Sequence, residues 1–219
     1  MLQYFVGKTK TKNVIDESYK IYQELFEKRF PNYFETNHSK AFAFVTTTKD
    51  KEILDAGMSK VNDLLSDNWG NFLRAFLSGD QGLNNVYRNT GNQLVSFQLW
   101  GDTTKLFNRA NTGLGTIGTR IATGSGTTDA TRQDVDIEIE KNKADTGDGG
   151  WNSGLGKIDI PMTATGVSNY SLTETALFGT WFASQANAIE QILLAHDNIS
   201  PVSVLVGQTI NVDYQLLLS

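Results

Sequence analysis

The sequence predicts an α+β protein, an N-terminal helical region followed by a mostly antiparallel β-sandwich of jelly-roll-like type. Three observations predict it. Large apolar residues recur at spacings of three and four in the first third of the chain. From about residue 92 the spacing becomes two, and glycine and threonine become frequent. The 219 residues suffice for one large domain, or a domain with a substantial appendage, that buries a core without staples. The expected division is a mainly helical docking and assembly region over 1–91 and a β-sandwich domain over 92–219.

Asn13 is a suitable N-cap, and Ile15, Tyr19, Tyr22, Phe26 and Phe30 fall on one helical stripe that ends before Pro31. Asp16 and Glu17 in the first turn, with Lys28 and Arg29 in the last, suit the helix dipole. A second helix is expected over Lys51–Ser66, with Leu54, Met58, Val61 and Leu65 on its apolar face. A third, "NWGNFLRAFLSG", aligns Trp69, Phe72, Leu73, Phe76 and Leu77 and stops near Gly79. Between the first two, "KAFAFVTTTKD" reads as a strand, because its threonine run disfavours a helix.

The second half alternates. "DVDIEIE" (134–140) puts Val135, Ile137 and Ile139 on one strand face and four carboxylates on the other. "KIDIPM" repeats the pattern with Ile158, Ile160 and Met162, and "TINVDYQLLL" with Ile210, Val212, Tyr214, Leu216 and Leu218. Pro161 and Pro201 belong at strand ends or edges, where no ladder donor is lost. "WFASQANAIEQILLAHDNIS" reads as a loop and then a strand near Ile192–Ile199.

Motifs that spell chemistry fail on context. Gly113, Gly115 and Gly118 make a literal G-x-G-x-x-G, which needs a buried strand before it and a helix after it. "TTKLFNRANT" precedes it and "TRIATGSGTTD" follows, so a strand over Thr119–Thr123 and a turn at Gly124–Gly126 are expected instead. "KADTGDGGWNSG" is acidic enough to suggest calcium. With Gly149 sixth, however, Ala144, Thr146 and Leu155 occupy ligand positions, and an exposed hairpin tip is the simpler reading.

Cysteine is missing, which excludes thiolate sites and disulfides. His38 and His196 are the only histidines, and no G-x-S-x-G surrounds a serine. A surface or half-buried His196 is expected, not a general base. Asp134, Asp136, Glu138 and Glu140 line one expected strand face; a solvated or partner-facing row is preferred over an acid–base pair. The sequence therefore predicts no enzyme, no cofactor and no metal site. Net charge of −5 without a basic patch argues against nucleic acid. "MLQYFVGKTKTKN" lacks the order of a signal peptide, and no apolar run reaches the roughly 20 residues of a membrane span. A soluble protein made inside the cell, without membrane contact, is expected.

The expected partner-binding residues are Trp69, Phe72 and Phe76 on the third helix and Trp151 in the polar loop. Trp151 suits either sugar stacking or a protein contact, whereas Trp100 and Trp181 read as core.

In the second half, "TRIATGSGTTDATRQDVDIEIE" resembles the glycine-threonine turn, acidic position and strand of a broad group of tailed-bacteriophage virion proteins. "LTETALFGTW", with Glu174, then "ILLAHDNISPVSVLVGQ" and the closing "TINVDYQLLLS" follow in the same order as in that group. The resemblance covers roughly 92–219. It implies a non-enzymatic capsid accessory, decoration or head-associated protein that self-assembles, located in the virion and made in the host cytoplasm. Its implied partners are major capsid, portal or tail proteins and further copies of itself. A receptor- or glycan-binding fibre module is the alternative. The "KNKADTGDGGWNSGLGK" excursion and the "ASQANAIEQ" insertion depart from the group's usual form.

Overall fold

The structure, a computed structural model, describes residues 40–60, 64–69, 71, 87–95, 110–112, 115–131, 133–146, 150–152, 157–183 and 188–217. Their strands, in chain order, are β1 (Lys40–Lys49), β2 (Glu52–Met58), β3 (Leu64–Leu65), β4 (Tyr87–Arg88), β5 (Leu94–Val95), β6 (Ala110–Thr112) and β7 (Gly115–Gly124). Then come β8 (Glu140–Asp145), β9 (Gly150–Asn152), β10 (Lys157–Thr165), β11 (Tyr170–Ala183), β12 (Ala188–Val204) and β13 (Thr209–Leu217). One sheet runs β2-β1-β13-β10-β9. A second runs β3-β12-β11-β7-β6, with β8 also paired to β7, and β4 and β5 form a small ribbon. All the pairings are antiparallel.

The expected N-terminal helical region does not fit this architecture, which among the described residues is mostly antiparallel sheet with almost no helix. Residues 15–30 lie outside the described residues. Over Lys51–Ser66 the expectation is overturned directly. Asp50 and Lys51 take left-handed φ values of 52° and 68°, a two-residue hairpin turn that pairs β2 back onto β1. Once β1 offers a ladder, the period-two solution wins, and Leu54 of the supposed apolar stripe is 37% exposed. Of the third expected helix, Asn68, Trp69 and Asn71 are helical, and Phe72 and Phe76 lie outside the described residues.

The strand expected over "KAFAFVTTTKD" is β1, although Ala43 and Val45 are the side chains that join the main core. Strict alternation in β10 and β13 carries Ile160, Met162, Ile210, Val212, Tyr214 and Leu216 into the same buried cluster. From the second sheet, Ile121, Leu172, Leu177, Ile192, Ile199 and Val202 meet them. Two cross-sheet hydrogen bonds fix the facing: Tyr214 Oη donates to the Thr175 carbonyl at 3.2 Å, and Thr47 Oγ1 to the Ser203 carbonyl at 3.2 Å. Pro161 sits beyond the stretch of β10 that β9 covers, and Pro201 falls in a register shift of β12, so neither breaks a ladder.

Two further expectations change. "DVDIEIE" is not a strand: only Glu140 enters β8, and residues 134–139 cross the outer face of the second sheet with Ile137 buried and Ile139 43% exposed. "KADTGDGGWNSG" is not one exposed tip: its residues 143–145 belong to β8, paired with β7 in one sheet, and 150–152 to β9, paired with β10 in the other, while 147–149 and 153–154 lie outside the described residues.

Candidate functional site

The bulges of β12 decide what faces outward. Register shifts by one residue between Phe178↔Leu193 and Leu177↔Ala195, leaving Leu194 unpaired. Leu193 and His196, three apart, can then share the outer face, while Leu194 and Ala195 both belong to the main core. On β11 the outer face carries Glu174, Ala176 and Phe178. Ala122, Ala176, Phe178 and Leu193 form a second, small apolar cluster, and Ile137 of the crossing segment closes it.

Beside this cluster His196 stands between two carboxylates. Its Nδ1 lies 2.7 Å from Asp134 Oδ2, and its Nε2 3.1 Å from Glu174 Oε2. The expected surface or half-buried imidazole is in fact 4% exposed, and Glu174 is 1% exposed. Glu174 also accepts the backbone N–H groups of Gly126 (2.6 Å) and Ile139 (2.8 Å) on Oε1 and of Glu138 (3.0 Å) on Oε2. Asp134 accepts the Thr131 amide at 2.9 Å and the Thr131 hydroxyl at 2.5 Å.

An ionised carboxylate only accepts, so with Asp134 and Glu174 both ionised the two imidazole nitrogens both donate, which is the protonated, imidazolium form of His196. Burial works against that charge, but the hydrogen bonds to Glu174 and Asp134, together with their negative charges, outweigh it and raise the pKa above 6.5. Burial pulls the Glu174 carboxyl upward, yet the His196 bond and the three backbone donors hold it below 4.5. For Asp134 burial is again opposed, by Thr131 and His196, and its pKa falls below 3.8. Asp136 differs: burial dominates and raises its pKa.

The neighbouring glycines make room for this carboxylate and for the Ile139 carbonyl and Glu138 beside it. A Cβ at Gly124 would meet Glu174 Oε1 at 2.4 Å, and one at Gly126 would meet Glu174 Oε1 and Glu138 Oε2, each at 2.5 Å. Glu138 in turn takes the Thr127 and Thr128 amides at 2.8 and 2.9 Å, which lowers its pKa. Asn198 completes the fastening, accepting from the Ala130 amide at 2.8 Å and donating to the Thr128 carbonyl at 2.9 Å. Thr173 Oγ1 donates to the Gly126 carbonyl at 2.6 Å.

Chemically this arrangement binds its own chain. An imidazolium with both N–H groups engaged has no lone pair with which to take a proton or hold a metal. The four carboxylates of 134–140 are not a row: Asp136 caps the Ile137 amide, and Glu140 pairs with Lys143. Among the described residues no group of three or more His, Cys, Asp or Glu side chains is arranged for a metal ion. Nor, among them, is any helix long and apolar enough to cross a membrane.

Of the expected partner-binding residues, Trp69 and Trp151 fall among the described residues. Trp69 packs into the main core at 5% exposure. Phe72 and Phe76 lie outside the described residues, as do His38 and Trp100. Trp151 is a residue of β9, paired with Ile158, and its side chain is outside what is described, as is that of Trp181. Gly115 and Gly118 of the apparent phosphate loop are inside β7, which pairs with β6, β11 and β8, and Gly113 lies outside the described residues. Comparison of the chain with protein-family models, with curated proteins and with solved structures gives no match.

Proposed function

We propose that the chain is a non-enzymatic structural component of a bacteriophage virion, a capsid accessory or decoration subunit that acts through protein–protein contacts. One observation carries the reading. Three segments on which the resemblance rests meet at His196: the first supplies Gly124, Gly126 and Asp134, the second Glu174, and the third His196 and Asn198. What these segments build is a fastening for a surface crossing, with every reactive atom of the imidazole engaged. Such a use of buried charge suits a module whose task is to keep a shape. In this reading its partners are the major capsid protein, portal or tail proteins and other copies of itself, and it needs no cofactor.

Mass spectrometry of purified particles from the host that makes this protein tests the reading. The expected result is a fixed copy ratio to the major capsid protein, with particles lacking the subunit less resistant to heat. Particles that contain none of it and behave identically without its gene would sink the proposal.

A further inference from the structure

The described residues between β7 and β8, 125–131 and 133–139, cross the outer face of the second sheet. Their hold on that face is of two kinds. Asn198 ties Thr128 and Ala130, Thr173 ties Gly126, and Glu174 ties Gly126, Glu138 and Ile139, with no titrating donor involved. Between these fixed ends, Asp134 reaches the sheet through His196 Nδ1 at 2.7 Å. We propose that this crossing is a strap locked by the His196 imidazolium, and that loss of one imidazole proton frees its 131–136 stretch while both sheets stay paired. The inference goes beyond the virion reading and stands whether or not that reading holds.

The two carboxylates are unequal, and that sets which contact breaks. Glu174 is immobilised by three backbone donors and is buried, so a neutral imidazole keeps its remaining proton on Nε2. Asp134 has a side chain 26% exposed and takes both Thr131 donors with it when it leaves. It would otherwise face the Nδ1 lone pair at hydrogen-bond distance, acceptor against acceptor.

Among the described residues, the charged groups that act on the ring are carboxylates. Asp136 of the strap and Glu174 of β11 add negative charge toward the ring. On β12 the ring's chain neighbours are Asp197 and Asn198, and across the ladder from His196 is the backbone of β3 at Leu64. Glu138 stands beside Glu174, while Lys143 and Glu140 of β8 act on Asp136. Arg88 and Asp67 line the cleft of about 240 Å³ whose opposite wall is Gln133, Asp134 and Val135. Opening of the strap therefore removes that wall.

The direction follows from linkage. A histidine pKa raised in the fold keeps the lock fully closed below 6.5, and it opens as pH rises through the folded value. On the acid side, the lowered carboxylates keep it closed until pH falls through their folded values, below 3.8 and 4.5.

Nitrogen-15 NMR of the intact chain, titrated from about pH 5 to 10, tests this, since a histidine's two ring nitrogens report protonation separately. The expected result is a doubly protonated ring at pH 6 and one midpoint above 6.5, at which Nδ1 alone loses its proton. The Thr131 and Asp134 amides should shift with that same midpoint while those of Val202 and Tyr214 do not. Asp134→Asn should lower the midpoint by at least about one pH unit, a tenfold loss of proton affinity. It should also speed amide exchange over 131–136 about tenfold at pH 6. A midpoint at or below 6.5, or strap amides that ignore it, would overturn the proposal, and the wild-type titration decides even where Asp134→Asn fails to fold.

Discussion

β11 and β12 each have two faces, and the two are held by different physics. Inward, Leu177, Ile192 and Val202 meet Ile160, Met162 and Val212 of the other sheet, and what counts there is apolar area removed from water. Outward, Glu174 and His196 hold a crossing segment by counted donors and acceptors, with two donors on each Glu174 oxygen. The difference teaches that one pair of strands can be tolerant on one side and exacting on the other. A core of branched side chains accepts a near-isostere at small cost. A buried carboxylate that satisfies four donors accepts almost nothing.

Glu174→Ala should therefore be the most damaging single change. It would strand three backbone N–H groups and an imidazolium in a buried place, a loss of about 3–5 kcal/mol by comparison with other broken buried pairs. Denaturant unfolding at pH 6 measures it. A loss under about 1 kcal/mol would mean that the outer face is wet and its hydrogen bonds interchangeable with water. The pH dependence sharpens the contrast. Above the raised His196 pKa the imidazole is neutral and part of the interaction has already gone, so the penalty of Glu174→Ala should shrink as pH rises.

Leu177→Ala, on the inward face of the same strand, comes next at about 2–5 kcal/mol, set by how far the two sheets collapse into the space. Its penalty should be flat between pH 6 and 9, since no titrating group touches the argument. If Leu177→Ala tracked pH as Glu174→Ala does, the two faces would be one coupled system. The distinction drawn between them would then fail.

How much of this was legible in the sequence divides along the same line. Alternation in "KIDIPM" and "TINVDYQLLL" placed β10 and β13, because burial of every second residue is a local pattern. β2 was hidden because Leu54, Met58, Val61 and Leu65 also fit a helical stripe, and only β1, a partner reached through a turn without glycine, decides between the two. The outer cluster was hidden for a plainer reason. His196 finds Glu174 at a separation of 22 residues and Asp134 at 62, and periodicity carries no information at that range. "DVDIEIE" then misled, since its acids satisfy backbone amides of the loop and not one face of a strand. A signal was present in single residues: a lone Glu in "LTETALFGTW" and a lone His in "ILLAHDNIS" are charges inside apolar strands, which must find partners. The glycines beside them were read as a turn, and their need to make room for a carboxylate appears only with Glu174 in place.

Gly126→Ala tests that need. The added methyl would lie 2.5 Å from both Glu174 Oε1 and Glu138 Oε2, so the crossing must shift outward, at about 1–3 kcal/mol. Glu138 is exposed and its carboxylate can yield, but Glu174 is buried and held by backbone donors, so the cost should fall near the upper end. Amide exchange should rise at Gly126, Glu138 and Ile139 and stay unchanged in β10 and β13. Loosened amides in β10 would show that the outer fastening also sets the spacing of the two sheets.

The smallest effect belongs to a place where the core borrows the outer face's method. Tyr214 Oη crosses between the sheets to the Thr175 carbonyl, at 3.2 Å, from a fully buried side chain of the main core. Tyr214→Phe keeps the ring and the area it buries and removes the neutral hydrogen bond to the Thr175 carbonyl, so a loss of about 0.5–1.5 kcal/mol is expected. In urea this is a shift of the midpoint with no change of slope, because the exposed area on unfolding stays the same. A loss above about 2 kcal/mol would mean that the facing of the sheets depends on a directional bond and not on area alone. The inward face would then be as exacting as the outward one, and Leu177 and Glu174 would stand for the same kind of stability.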